Sequence, residues 1–234
     1  MEKTQMLYEG KAKKVYCTDQ EGIYIIEYKD DATAFNARKK GTIAGKGAVN
    51  NKMTSIIFEM LEANGIPTHF ISRLDERCQI VKAVRIYPLE VIIRNTAAGS
   101  FSSRLGIAEG IPLSPAVLEF SYKNDELDDP LINDYHAAAL KLADEAELET
   151  IKNYAFRINE LLKEFFLKAG LKLIDFKIEF GNCSGEIILA DEISPDTCRL
   201  WDAVTDEKMD KDRFRRDLGG TEEAYQEVLK RLSE

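Results

Sequence analysis

The stretch of residues 173–199 constrains this chain more than any other part of it. Between positions 174 and 180, apolar residues alternate with charged ones, and side chains on a β-strand point alternately to its two faces. The pattern predicts a strand with one apolar face, which packs inward, and one charged face. Turn-forming residues at 181–185 then predict a chain reversal, with the returning strand over 186–193.

The charged face of this predicted hairpin carries an unusual set of side chains. In a hairpin centred near position 183, odd-numbered positions face odd-numbered positions, so four charged residues share one surface. They are Asp175, Lys177, Glu179 and Asp191. Carboxylates this close repel one another and need a cationic partner or a metal. We expect Glu179 and Asp191 to bind Mg²⁺, which prefers one or two carboxylates plus phosphate oxygens; a solvated charged face is the alternative interpretation.

The acidic composition narrows the classes of function. Lys and Arg number 32 against 41 Asp and Glu, a formal net charge of −9, whereas general nucleic-acid binders need basic surfaces that neutralise phosphates. No apolar run approaches the roughly 20 residues that span a bilayer, and the polar start of the chain lacks a signal-peptide core. The four cysteines lack a C-x-x-C spacing, which favours reduced thiols. We therefore expect a cytoplasmic protein without nucleic-acid or membrane partners.

The N-terminal region predicts short strands over 7–28, with a tight turn at Gly10. Lys11 and Lys13 follow this glycine, and such a turn can cover nucleotide phosphates with backbone N–H groups and ammonium charge. A single glycine is a weak signal, so an ordinary charged hairpin is the alternative.

Two strand-like segments, 79–84 and 89–94, are separated by a break that we interpret as the boundary between two lobes. Lys82 and Glu90 flank this break and are candidate nucleotide contacts, because ligand sites often lie between lobes. A solvated side chain is the alternative for Lys82. We expect a β-rich lobe over 1–86 that covers the nucleotide, followed by an α+β lobe over 87–234 that holds the metal and the substrate.

Other segments predict the elements around these strands. A polar loop is expected over 30–47, and a helix over 50–64 whose Met and Ile stripe belongs to the core. Further helices are predicted over 136–146, 149–169 and 222–232. The longest of them carries an apolar stripe that is typical of a helix packed on a sheet.

Basic residues in two places are candidate ligands for an anionic substrate. Arg94 ends an apolar strand and is followed by a turn with Ser100. The planar guanidinium fork matches phosphate or carboxylate, and a surface salt bridge is the alternative. A second basic cluster follows Arg199 and consists of Lys211, Arg213, Arg215 and Arg216. We expect this cluster to form a phosphate or carboxylate site on a mobile flap.

Four motifs resemble those of the phosphoribosylaminoimidazole-succinocarboxamide synthase (SAICAR synthetase) family. They are LYEGKAKKVY at 7–16, YPLEVIIRNTAAGSF at 87–101, LIDFKIEFG with GEIILADEISPDTCRLWD between 173 and 202, and MDKDRFRRDLGG at 209–220. They follow one another in the family's order across essentially the whole chain. The resemblance implies an α+β, two-lobed ATP-grasp-like fold with antiparallel sheets and packing helices, and a homodimer.

The resemblance also implies a reaction and a set of site residues. ATP, L-aspartate and carboxyaminoimidazole ribotide (CAIR) give SAICAR, ADP and phosphate in purine biosynthesis. The implied residues are Lys177 and Asp175 for catalysis, Glu179 and Asp191 for Mg²⁺, Gly10, Lys11, Ala12, Lys13, Val15, Lys82, Glu90 and Lys123 for ATP, and Arg94, Ser100, Asp129, Arg199, Lys211 and Arg215 for the ribotide. Asp129 lies in an acidic segment that, without the resemblance, is typical of a solvated loop.

Two other classes of function stay open from the sequence. A kinase that transfers phosphate to a hydroxyl group is one, because the same fold can serve different reactions. A non-catalytic nucleotide-binding module is the other, although such a module need not retain a metal-binding pair beside Lys177. No Ser-His-Asp or Cys-His arrangement is visible, which fits phosphoryl transfer, because that chemistry needs mainly positioning and charge neutralisation.

Overall fold

The computed structural model of this protein describes residues 1–34 and 38–233. Its strands are β1 (Lys3–Glu9), β2 (Lys13–Thr18), β3 (Ile23–Tyr28), β4 (Asp31–Ala34), β5 (Lys39–Thr42), β6 (Phe70–Arg73), β7 (Cys78–Lys82), β8 (Arg85–Ile86), β9 (Leu89–Thr96), β10 (Pro112–Tyr122), β11 (Leu131–Ile132), β12 (Leu171–Cys183), β13 (Glu186–Ala190) and β14 (Cys198–Asp202). Its α-helices are α1 (Lys46–Ala63), α2 (Gly99–Leu105), α3 (Asp134–Ala139), α4 (Glu145–Lys168), α5 (Asp212–Arg215) and α6 (Thr221–Ser233). None of these described helices is long and apolar enough to cross a membrane.

Most strands belong to two antiparallel sheets. The first has the strand order β1-β2-β3-β7-β6. The second has the order β11-β10-β9-β12-β13, and β14 and β8 also pair with β12. β4 and β5 form a separate hairpin. All of these strand pairs are antiparallel, so the predicted α+β fold of antiparallel sheets with packing helices is confirmed.

Helix α4 covers the second sheet, as its apolar stripe predicts. Its buried residues are Leu148, Ile151, Ala155, Ile158, Asn159, Leu162 and Phe166. They recur at the three- and four-residue spacing of a helical face, and each fully buried leucine or isoleucine stabilises the fold by about 1.5–3 kcal/mol. The helix begins four residues earlier than predicted because Asp144 and Glu147 form a capping box.

Helix α1 links the first sheet to the core of the second. Its buried apolar residues are Val49, Met53, Ile57, Phe58 and Leu61, and they belong to the same apolar cluster as those of α4. The chain passes from the first sheet to the second between β7 and β8, since β8 already pairs with β12. The division into lobes at 86/87 stays a prediction.

Two further segments differ from their predicted structure. The segment 30–47 contains the β4–β5 hairpin and the start of α1 rather than a loop, although its residues 35–37 lie outside the described part. Short polar strands lack the apolar alternation that would reveal them in a sequence. The helix predicted over 136–146 is the shorter α3, which begins after the Asn133 cap and ends before Lys141, whose φ is 55°.

The β12–β13 hairpin does not have the predicted register. Cys183 pairs with Glu186, and Glu179 pairs with Ala190, so odd positions face even positions. The cause is the turn, because Ser184 and Gly185 form a two-residue loop with φ of 53° and 94°, and such loops favour positive φ. Asp191 lies beyond the ladder and has φ of 61°. It therefore reaches the charged face of β12 from the turn after β13.

Candidate active site

Two adjoining cavities lie between elements of both sheets. The first has a volume of about 380 Å³, and we name it the apolar cavity. Its apolar wall includes Val15, Ile26, Val81, Val84 and Ile86. The second has a volume of about 340 Å³ and carries three guanidinium groups on its wall, so we name it the arginine cavity. Lys177 lines both cavities and lies at their junction.

All residues predicted to contact ATP line the apolar cavity. They are Gly10, Lys11, Ala12, Lys13, Val15, Lys82, Glu90 and Lys123. The turn between β1 and β2 is closed by a hydrogen bond from Gly10 N to Lys13 O of 2.8 Å, and it brings the lysines to the cavity rim. An apolar slot beside clustered ammonium groups can accommodate a planar apolar ring that carries phosphates.

Lysines and carboxylates form a cluster at the junction of the cavities. Lys177 Nζ lies 2.8 Å from Glu179 Oε1 and 3.2 Å from Asp191 Oδ2. The second oxygen of Glu179 accepts a hydrogen bond from Lys123, and the second oxygen of Asp191 accepts one from Lys13. The structure thus brings Lys177, Glu179 and Asp191 together despite the different hairpin register.

Burial and charge shift the pKa values of this cluster. Burial alone would lower the pKa of Lys177, but the surrounding carboxylates raise it well above its usual value. Burial would raise the pKa of the Asp191 carboxyl, but Lys13 and Lys177 hold it far below its usual range. Burial raises the pKa of Glu90, and the charge of Lys177 only partly opposes this. Lys177 is therefore a fixed positive charge at neutral pH rather than a base.

Asp175 organises the arginine cavity. It lies on β12, directly opposite Arg94 of β9 and Arg199 of β14. Its Oδ2 accepts hydrogen bonds from Arg94 Nη1 at 2.9 Å and from Arg199 Nη1 at 2.8 Å. Arg94 also donates from Nη2 to Ser100 Oγ at 3.2 Å. Because Arg94 is only 3% exposed, the alternative of a surface salt bridge does not describe it.

Further carboxylates fix the direction of each guanidinium group. Arg94 Nε donates to Glu119 Oε2 at 2.6 Å. Arg199 Nε donates to Asp212 Oδ2 at 3.0 Å, and Arg215 Nη1 donates to Asp212 Oδ1 at 2.6 Å. Asp212 therefore ties the basic cluster of α5 to β14. The guanidinium groups are held in fixed orientations, so binding an anion costs little side-chain ordering.

Gly99 makes room for Arg199. Its φ is 52°, and a Cβ at this position would lie 2.3 Å from Arg199 Nη2. A side chain at position 99 would displace the guanidinium group and strain the backbone. The turn that the sequence associates with Ser100 thus also determines where Arg199 lies.

The structure brings all predicted site residues to these two cavities. Those predicted for the ribotide line the arginine cavity, and they are Arg94, Ser100, Asp129, Arg199, Lys211 and Arg215. Their roles stay predictions. The sequence analysis missed further lining residues, which include Thr33, Glu192, Asp196 and Thr197. Three of these, Glu192, Asp196 and Thr197, lie shortly after Asp191 in the same sequence motif, and that proximity is the signal that could have identified them.

The junction of the two cavities offers two carboxylates to a divalent cation. Within residues 1–34 and 38–233, no cluster of three or more His, Cys, Asp or Glu side chains could hold a metal ion by itself. However, Glu179 Oε1 and Asp191 Oδ2 both lie within 3.2 Å of Lys177 Nζ, so two carboxylates converge on one positively charged point. This pair fits Mg²⁺, which commonly takes one or two protein carboxylates and adds phosphate oxygens and water.

The antiparallel two-sheet fold, with an apolar cavity that opens onto an arginine cavity, defines a class of two-lobed nucleotide-binding α+β proteins. A family model described as SAICAR synthetase matches residues 6–232. The chain belongs to the SAICAR synthetase family, as the four sequence motifs predict.

Individual relatives resemble the chain over nearly its full length. A phosphoribosylaminoimidazole-succinocarboxamide synthase from Thermoanaerobacter sp. (strain X514) is 62% identical over 232 residues, which are 99% of each chain. One from Clostridium botulinum (strain Alaska E43 / Type E3) is 62% identical over 234 residues, which are 100% of each. The crystal structure of the Ehrlichia chaffeensis synthase has a TM-score of 0.96 at 46% identity, covering 98% of each chain. A SAICAR synthetase in complex with ADP has a TM-score of 0.94 at 48% identity, covering 97% of each.

Proposed function

We propose that this chain is an ATP-dependent ligase of de novo purine biosynthesis. It joins the amine of L-aspartate to the carboxylate of CAIR and gives SAICAR, ADP and phosphate. The observation that carries the proposal is the junction at Lys177, where a nucleotide-sized apolar cavity opens onto an arginine cavity suited to an anionic substrate. The names of relatives at 62% identity support it, as does a solved relative in complex with ADP.

In this proposal the apolar cavity holds ATP. The adenine ring packs between aliphatic side chains of β2 and β7, including Val15 and Val81. The Gly10 turn covers the phosphates, and Lys11 and Lys13 neutralise part of their charge. The triphosphate then points toward Lys177, because that residue lies where the two cavities meet.

The arginine cavity holds CAIR in the same proposal. Arg94, Arg199 and Arg215 supply planar guanidinium groups that donate hydrogen bonds to its phosphate and carboxylate. Asp175 serves as the positioning residue of this group, because it contacts both Arg94 and Arg199. Ser100, Asp129 and Lys211 line the same cavity and are proposed ribotide contacts.

The reaction must convert a poor acyl donor into a good one. The carboxylate carbon of CAIR resists attack by an amine because it is electron-rich and oxide is a poor leaving group. A carboxylate oxygen therefore attacks the γ-phosphorus, the bond to the bridging oxygen breaks, and ADP leaves. The aspartate amine attacks the resulting acyl phosphate, the C–O bond to phosphate breaks, and the nitrogen loses a proton.

Lys177 contributes a fixed positive charge to both steps. Its raised pKa keeps it protonated, so it can stabilise negative charge that develops on the transferred phosphoryl group and on the carboxylate. We propose that Glu179 and Asp191 hold Mg²⁺ together with ATP phosphates, and this ion supplies Lewis acidity and a template for the reacting oxygens.

The assembly and location belong to the same proposal. We propose a homodimer, supported by the edge strand β1, whose exposed side chains include Met6, Leu7 and Tyr8; unprotected edge strands invite pairing. Sedimentation equilibrium checks this, and a monomer at all concentrations contradicts it. We also propose a cytoplasmic enzyme of two lobes, 1–86 and 87–234.

The experiment that tests the activity is ADP release from ATP and Mg²⁺ in the presence of CAIR, with and without L-aspartate. We expect release that requires both CAIR and L-aspartate, accompanied by SAICAR. Release that requires CAIR but not aspartate would instead indicate a kinase or an uncoupled acyl phosphate. If ATP binds but no ADP forms with both substrates present, the ligase proposal is wrong.

A further inference from the structure

Asp196 lies at the junction and lines both cavities, but its carboxylate is bound from the protein interior. Lys46 Nζ, at the start of α1, donates to Asp196 Oδ2 at 2.7 Å. Tyr225 Oη, on α6, donates to Oδ1 at 2.7 Å. Both oxygens therefore have hydrogen-bond partners in the protein interior, because Lys46 and Tyr225 are each only 1% exposed.

Lys211 is the second ammonium group near this carboxylate. Its Nζ lies 3.7 Å from the same Oδ2, which is beyond hydrogen-bonding distance, and Lys211 lines both cavities. Two cations thus compete for one carboxylate, and Lys46 occupies the hydrogen-bonding position. The ammonium group of Lys211 remains at the cavity wall, where an anionic ligand can reach it.

Backbone hydrogen bonds hold the segments that carry these side chains. Lys211 N donates to Pro195 O at 3.1 Å, which joins the loop of Lys211 to the loop of Asp196. At the start of α1, Gly47 N donates to Asp30 Oδ1 at 2.8 Å. A buried carboxylate that loses one cation needs another, and Lys211 could supply it by a rotation of its own side chain.

We propose that Lys46 is a positioning residue, which neutralises Asp196 and thereby keeps Lys211 available for the anionic substrate in the arginine cavity. The inference rests on the proposed function, because it takes CAIR as that substrate. Lys46 acts only through Asp196 and does not touch substrate. Burial lowers the pKa of Lys211, Asp196 opposes this, and the nearby charges of Arg215 and Lys46 add to it, as expected for an ammonium group that is not tightly paired.

The kinetic test varies CAIR at saturating ATP, Mg²⁺ and L-aspartate. In Lys46→Met, Lys211 pairs with Asp196, so we expect the KM for CAIR to rise roughly tenfold to a hundredfold, the usual effect of losing a charged hydrogen bond. The KM for ATP should change much less. In the double variant Lys46→Met/Asp196→Asn no carboxylate competes for Lys211, so the KM for CAIR should return close to that of the wild type. Lys172→Met, at an exposed ion pair with Asp206, is the matched control.

The double variant distinguishes positioning from a merely structural role. An unchanged KM for CAIR in Lys46→Met overturns the proposal, and so does a double variant that stays as impaired as the single one. Breaking a buried ion pair can prevent folding, so circular dichroism accompanies each measurement. If Lys46→Met does not fold, the double variant is measured without it. A raised KM for CAIR in the double variant then contradicts the proposal.

A second readout does not need ligase activity. Acetic anhydride acetylates free lysine amines, and peptide mass spectrometry measures the rate at Lys211 in each protein. We expect slower acetylation of Lys211 in Lys46→Met and recovery in the double variant, while equal rates in all three proteins overturn the proposal. A wild type that lacks ligase activity but shows this acetylation pattern would refute the proposed function and still support the effect of Lys46 on the availability of Lys211.

Discussion

Replacing Asp175 with asparagine should destabilise the protein strongly while keeping its shape. The Asp175 carboxylate is buried and accepts hydrogen bonds from Arg94 Nη1 at 2.9 Å and from Arg199 Nη1 at 2.8 and 3.0 Å. Asparagine is nearly the same size but carries no charge, and the NH2 group that replaces one carboxylate oxygen donates hydrogen bonds and cannot accept them. The substitution therefore leaves two buried guanidinium groups with less negative charge around them.

The magnitude follows from the partners that remain. Removing one member of a buried ion pair costs about 3–5 kcal/mol. Arg94 keeps Glu119 and Arg199 keeps Asp212, so we expect the lower end, a loss of about 3 kcal/mol in the free energy of unfolding. That is a large share of the roughly 5–15 kcal/mol that stabilises most folded proteins.

Urea unfolding, monitored by the fluorescence of Trp201, the single tryptophan, measures this loss in the free energy of unfolding. Asp206→Asn is the matched control, because Asp206 pairs with Lys172 at 2.7 Å but the two side chains are 58% and 43% exposed. The control should lose less than about 1 kcal/mol. If Asp175→Asn is no less stable than Asp206→Asn, then Asp175 does not hold the two arginines and the description of the arginine cavity is wrong.

Three further changes test other parts of the site. Asp191→Asn should keep the fold, because asparagine tolerates the φ of 61° at this position, but should abolish ADP release; an active variant would remove Asp191 from the proposed metal pair. Arg94→Lys should weaken CAIR binding by about 1.5–3 kcal/mol, since lysine cannot reproduce the fork that reaches Glu119, Asp175 and Ser100, and an unchanged KM for CAIR would contradict this. A hydrogen bond from Arg216 lowers the pKa of Glu109 from 4.5 to about 2, so this carboxylate stabilises the fold fully above pH 4.5 and loses that contribution as the pH falls toward 2. Stability curves of the wild type should therefore fall more steeply over that range than those of Glu109→Gln, and parallel curves would show that the pair contributes nothing.

Local sequence patterns predicted the elements whose signal is periodic. The alternation at 174–180 predicted β12, with Phe176, Ile178 and Phe180 buried on its apolar face. The apolar stripes predicted α1 and α4, although their ends depend on caps. The β4–β5 hairpin escaped prediction because short polar strands resemble loops in a sequence.

Contacts between distant segments could not be predicted in the same way. The hairpin register depends on whether the turn takes two residues or three, and the turn residues at 181–185 permit either. The pairing of Lys46 with Asp196 joins positions 150 residues apart, and no local pattern marks it. The site residues could be identified from the sequence motifs. The side chains that hold them in position could be identified only from the folded structure.

The lysines at the junction hold its two carboxylates in ion pairs rather than in a closed metal site. Lys13, Lys123 and Lys177 bind the oxygens of Glu179 and Asp191, and the same lysines line the cavity proposed for ATP. An ammonium group that turns toward a phosphate gives up part of its contact with a carboxylate, and a buried carboxylate then needs another cation. A divalent cation is such a replacement, so the affinities for nucleotide and cation should strengthen each other by the same factor. The proposed site therefore couples nucleotide and cation through an exchange of ion pairs between side chains.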